Sequence, residues 1–115
     1  MFGEDPVVTD PDQNQVMAAL KRLDLLVVAE LTMTETAKLA DIILPAASFA
    51  EKNGTFTNAE RRIKLVRQGI LPLNGAKADW PWRAEIAKAL GRHQPNWPNS
   101  DTIFEATTPL HPQHS

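Results

Sequence analysis

Apolar positions recur at helical spacing early in the chain and then run together. Val16, Leu20 and Leu23 share one face, with Met17 and Ala19 beside them. Asp10, Pro11 and Gln13 predict where that helix begins. Asp10 is the expected N-cap, Pro11 stands where a missing N–H costs nothing, and Gln13 completes a capping box. Lys21 and Arg22 fall in the last turn, where the helix dipole favours positive charge. Leu25 to Ala29 is then apolar at every position and ends in Glu30. Such a run predicts a strand covered on both faces, as in a parallel sheet. Thr32 and Glu35 repeat the capping-box spacing and predict a short helix to about Ala40. Ile42, Ile43 and Leu44 predict a second strand that stops at Pro45, which has no N–H for a ladder.

The pattern then changes. Asn53-Gly54 signals a tight turn, and Thr55 to Asn58 predicts a short strand. Polar and apolar residues alternate through Arg62-Ile63-Lys64-Leu65, the mark of a half-exposed strand. A loop rich in Gly, Pro and Asn runs from Gln68 to Lys77. Asp79 caps a further helix, with Trp82, Ile86 and Leu90 as its buried stripe and Gly91 as its stop. A short helix is predicted around Asp101 to Ala106, followed by an irregular tail from Thr107 to Ser115.

Helix and strand alternate in the order of an α/β domain. The expected architecture is a partial doubly wound, Rossmann-like parallel sheet with flanking helices, plus a short β-hairpin. Residues 1–91 form the α/β segment, and 92–115 form a partly irregular extension. Only Met1 and Phe2 stand before Gly3, where a first strand belongs, so a piece of something larger is expected. A missing strand exposes an edge, and with it self-association is expected.

Composition narrows the chemistry. Twelve Lys and Arg against fourteen Asp and Glu give a net charge of -2, which argues against a nucleic-acid binder. The 115 residues suffice for one core. Cysteine is absent, which removes disulfides, a thiolate nucleophile and thiolate-held metals from this chain. The sequence has no run of about 18 apolar residues, so no membrane partner is expected.

Ligands of open parallel sheets bind beyond the carboxyl ends of the strands. Gly3-Glu4-Asp5-Pro6, Ala29-Glu30 with the loop to Thr34, and Ala46 to Ser48 project there. Glu30 is either an acceptor for ribose or purine donors or a solvated strand end. Arg61, Arg62, Lys64 and Arg67 are either partners for phosphate and carboxylate or the charges that guard an edge strand. His111 and His114 are three residues apart, with His93 as a third imidazole, but the tail lacks a helical pattern and no metal site is expected. Trp80 and Trp82 read as packing residues at a helix start.

The stretch from Thr34 to Arg62, TETAKLADIILPAASFAEKNGTFTNAERR, resembles the large subunit of molybdopterin oxidoreductases, the dimethyl sulfoxide reductase family. Its portion from Gly54 to Arg62 is most similar to formate dehydrogenase alpha subunits. Gly3 to Asp12 and Asp79-Trp80 opening a helix that ends in Leu90-Gly91 are similar as well. The resemblance implies a segment of a formate dehydrogenase that grips a molybdopterin guanine dinucleotide carrying Mo or W. It implies cofactor contacts at Ala29, Glu30, Lys52 and Asp79, with Gly3 and Glu4 placed by the strand-end reading and a similar loop. Glu30 stands where the family more often has Asp, and Lys64 where it more often has Gln. The family's metal-binding Cys or selenocysteine and its cluster cysteines are absent from these residues. The chain alone is therefore expected to be inactive, to hold no cofactor by itself, and to need the remainder of a large subunit as partner. A cytoplasmic location is expected. Two alternatives stay open: a non-catalytic relative resembling the iron–sulfur subunit of NADH dehydrogenase, and a stand-alone interaction module.

Overall fold

The computed structural model describes residues 1–73, 75–92 and 97–107. The chain is α/β, with a small parallel sheet and an antiparallel hairpin. It forms two compact units: residues 1–48 with 72–79, and 49–71 with 80–115.

In the first unit, α1 (Pro6–Thr9) and α2 (Gln13–Leu20) precede β1 (Val27–Glu30), and a 3-10 turn at Ala37–Leu39 leads into β2 (Ile42–Pro45). Pro6 occupies the first turn of α1, where its fixed φ suits a helix start. The cap of α2 is Asp12, whose carboxylate accepts from Gln15 N–H at 3.0 Å. This corrects the expected cap at Asp10: Pro11 lies before the helix, because the residue that reaches the free N–H groups is Asp12. The next predicted cap moves too. Thr34, not Thr32, accepts from Ala37 N–H, and only a single 3-10 turn forms.

β1 and β2 are parallel, with Val27 opposite Ile42 and Glu30 opposite Pro45. The strand begins two residues later than the apolar run. Asp41 Oδ2 accepts from Leu26 N–H at 2.7 Å and Asp41 N–H donates to Leu26 O, so pairing starts there. Leu25 lies ahead of this start and is 57% exposed. Pro45 is the last residue of β2, and its carbonyl accepts from Lys77 N–H. The core joins Leu26, Val28 and Ala37, with Leu20, Leu39 and Ala40 packed against them. Two-sided cover holds for β1, where Val28 and Ala29 are fully buried. It does not hold for β2, where Ile42 and Ile43 are exposed.

In the second unit, β3 (Gly54–Thr57) and β4 (Ile63–Val66) form the hairpin. Its turn is not Asn53-Gly54. Gly54 opens β3 opposite Val66, and Asn53 Oδ1 accepts from Gln68 N–H. The reversal is at Asn58–Arg62. Arg61 N–H donates to Asn58 O, and Asn58 N–H to Arg62 O. Arg61 takes φ 61°, the left-handed position of a three-residue loop that glycine usually fills.

Helix α3 (Asp79–Ala89) begins at the last residue of the first unit. Its expected stripe is not buried: Trp82 is half-buried, and Ile86 and Leu90 are exposed. Periodicity states which residues share a face, and burial needs a partner on that face. The predicted stop holds: Gly91 has φ 69°, and Arg92 N–H reaches back to Ala87 O. Helix α4 (Ser100–Thr107) matches its predicted place and is capped by Asn99, which accepts from Thr102 N–H and hydroxyl. His93, His111, His114 and the tail from residue 108 lie outside the described residues.

Candidate functional site

Single bridges widen the parallel pair on both sides. Phe2 pairs in parallel with Ala29, and Ala46 pairs in parallel with Lys77. Ala29 N–H donates to Met1 O and Gly3 N–H donates to Ala29 O, each at 2.9 Å. On the other side of β1, Ala46 N–H reaches Glu30 O at 3.1 Å. Beyond that, Ala47 N–H reaches Lys77 O at 2.8 Å. The order across the array is therefore residues 1–3, β1, β2 with its extension to Ala47, and Lys77. All four run the same way, so their carboxyl ends fall on one edge.

That edge collects Gly3 and Glu4, Glu30 and Leu31, Ala47 and Ser48, and Ala78 and Asp79. Five of the six residues singled out in the sequence thus lie within this array or in the segments that leave its carboxyl ends. Ala29 is fully buried, and its N–H and C=O hold the Met1–Gly3 segment in register. Glu30 is half-buried, and one carboxylate oxygen accepts from Leu31 N–H at 2.8 Å. Gly3 has φ 61°, and a β-carbon built there meets no heavy atom within 4 Å. Glu4 is exposed, and Asp79, at the start of α3, is half-buried.

Lys52 belongs to the second unit. It is half-buried and follows Glu51, a buried carboxylate in a 3-10 turn that sequence reading passed over. Just ahead of that turn residue, Ala50 O accepts from Gly69 and Ile70 N–H, which ties the Lys52 segment to the far end of the hairpin. A cavity of about 510 Å³ in this unit is lined by Thr55, Ile63, Leu65, Ile103 and Phe104, with Asp101 and Glu105. None of the six predicted residues lines it.

Two contributors escaped the sequence. Lys77 was read as loop, because a one-residue bridge leaves no periodic trace. Thr36 is fully buried and hydrogen-bonded to Asp5, a pairing across 31 positions that no local pattern encodes. Among the described residues, no cluster of His, Cys, Asp or Glu fit for a metal ion occurs, and no helix is long and apolar enough to cross a membrane.

Ligands of parallel sheets bind where loops converge beyond the carboxyl ends of the strands, and comparison with known proteins identifies the family of this chain. The chain belongs to the molybdopterin oxidoreductase family, whose model matches residues 1–90. It is 46% identical over 115 residues to the F420-dependent formate dehydrogenase subunit alpha of Methanocaldococcus jannaschii, covering 99% of this chain and 17% of that protein. It is 44% identical to the F420-dependent formate dehydrogenase 2 subunit alpha of Methanococcus maripaludis, covering all of this chain and 17% of the relative. A putative formate dehydrogenase of Staphylococcus haemolyticus is 38% identical, with all of this chain and 12% of the relative covered. The chain thus spans about a sixth of the length of its first relatives.

Proposed function

We propose that this chain is the part of a formate dehydrogenase alpha subunit that holds the guanosine end of a molybdopterin guanine dinucleotide. The observation that carries this reading is the convergence of four parallel carboxyl ends on one edge. The donor set of guanine and ribose suits that edge. Glu30, with one oxygen on Leu31 N–H, and Asp79 are carboxylates with further acceptor capacity for N–H and O–H donors. Gly3 leaves its backbone open to close approach, because no side chain or neighbour fills the space where a β-carbon would be. Glu4 follows in the same loop and adds an exposed acceptor. Ala29 holds this loop by its backbone while its methyl stays buried. Lys52, in the second unit, is a candidate contact through the family resemblance, and its ammonium suits an anionic group of the cofactor.

Bound in the complete subunit, the cofactor supplies a molybdenum or tungsten centre that accepts the two electrons released as formate becomes carbon dioxide and a proton. This chain's part is to bind and orient. The metal ligand and the cluster cysteines belong to the remainder of the subunit, which is its partner, and the whole works in the cytoplasm. The formate dehydrogenase relatives favour this reading over a respiratory iron–sulfur subunit.

Titration of the full chain with guanosine diphosphate in a calorimeter tests it, with adenosine diphosphate as control. Weak saturable binding of the guanosine nucleotide is expected. It should fall about tenfold in Asp79→Ala, the loss of a hydrogen bond to a charged group. Equal heats for both nucleotides, or an unchanged Asp79→Ala, would overturn it.

A further inference from the structure

Two loops leave neighbouring segments of the parallel array: Gly3–Asp5 after Phe2, and Leu31–Thr36 after β1. One partly buried network ties them together. Thr36 N–H donates to Asp5 Oδ1 at 3.1 Å, and the Thr36 hydroxyl donates to the same oxygen at 2.5 Å. The hydroxyl oxygen in turn accepts from Val7 N–H at 3.2 Å, in a buried bond. Thr36 has no exposed surface, and its hydroxyl is used in both directions, as burial demands. Asp5 stands beside Glu4 and two residues after Gly3, and Thr36 closes the loop that starts at Leu31. Thr36 cannot reach a ligand from its buried place, yet it joins the two loops that carry candidate contacts.

We infer that Thr36 and Asp5 are positioning residues that set the spacing between the Gly3–Glu4 and Glu30–Leu31 loops, and through it the affinity of the edge for a guanosine nucleotide. This rests on the proposed cofactor role. A ligand that touches two loops loses affinity to ordering them, unless they are ordered in advance. Two hydrogen bonds into one carboxylate oxygen are suited to that, because charge-assisted bonds are short and strong. Without the hydroxyl, Asp5 keeps only the backbone donor of Thr36, and Val7 N–H loses its buried acceptor. The start of α1 and the loop ahead of it are then released.

The test uses the full chain with three substitutions. Thr36→Val keeps the shape and removes the hydroxyl, Thr36→Ser keeps the hydroxyl, and Asp12→Ala removes the cap of α2, which belongs to neither loop. Guanosine diphosphate affinity is read by calorimetry, melting temperature by circular dichroism, and the Gly3, Glu4 and Leu31 amides by NMR. Thr36→Val is expected to weaken binding at least about fivefold, with Thr36→Ser within about twofold of the parent. Asp12→Ala should lower the melting temperature and leave affinity unchanged. A Thr36→Val chain that binds like the parent overturns the inference. So does an equal loss in Asp12→Ala, because affinity would then follow general stability. If the parent chain itself binds no guanosine diphosphate, the cofactor reading fails separately, and the amides decide whether Thr36 and Asp5 position the two loops. Gly3, Glu4 and Leu31 moving together in Thr36→Val and not in Thr36→Ser support it, and unmoved resonances overturn it. Should Thr36→Val not fold, Asp5→Asn replaces it, with about threefold weaker binding expected from the lost charge. Unchanged affinity in Asp5→Asn overturns the inference.

Discussion

Gly3 offers a clean separation of backbone strain from crowding. Its φ is 61°, and a β-carbon built there finds no heavy atom within 4 Å. A side chain at this position therefore meets open space, and its cost lies in the backbone. For alanine the left-handed region costs about 1–2 kcal/mol. The stiffer unfolded chain returns about 0.4–1 kcal/mol of that. Gly3→Ala is expected to destabilise the first unit by about 1 kcal/mol net. Asparagine is larger but enters the left-handed region more readily, so Gly3→Asn should cost only about half as much. Valine is β-branched, and Gly3→Val should cost about 2 kcal/mol or more. Urea unfolding followed by far-ultraviolet circular dichroism reads these as shifts in midpoint at constant slope. The expected order is Asn, then Ala, then Val. A cost that rises with side-chain volume, with asparagine worse than alanine, refutes the reasoning, because neighbours and not φ would then be setting it. The same strain bears on the site, since Gly3 N–H donates to Ala29 O and holds the first loop to β1.

Two further outcomes are expected. Arg61→Asn relieves a left-handed arginine at the hairpin turn and should stabilise the second unit by about 0.5–1 kcal/mol, seen as a higher unfolding midpoint. An unchanged or lower midpoint would mean that the arginine side chain makes up its backbone cost. Ile42, Ile43 and Leu25 leave apolar surface exposed on the first unit, so the chain should self-associate, and Ile42→Glu should reduce the mass seen by light scattering without lowering stability. A parent chain that stays monomeric at high concentration removes that expectation.

Much of the fold was legible because its signals are local. The apolar run ending at Glu30 predicted β1, which starts two residues later, and Ile42 to Leu44 predicted β2, which starts at Ile42 and takes in Pro45 as well. Gly91 stopped α3 as expected, since a left-handed glycine after a helix is a local requirement. The caps were harder. Asp10 and Asp12 carry the same chemistry two residues apart, and only the path of the chain decides which carboxylate meets Gln15 N–H. The stripe of Trp82, Ile86 and Leu90 named a shared face correctly but said nothing of what covers it.

By itself, the amino-acid sequence determined the kinds of element, the glycine and proline punctuation, the absence of thiolates and the family resemblance, all of which are properties of residues or of short windows. The tertiary structure decided which carboxyl ends share an edge. The Ala46–Lys77 bridge brings the segment before Asp79 into the array of Gly3 and Glu30, and the Asp5–Thr36 network binds loops 31 positions apart. Parallel pairing and buried side-chain bonds join residues distant along the chain, and neither leaves a period or spacing that a local pattern can register.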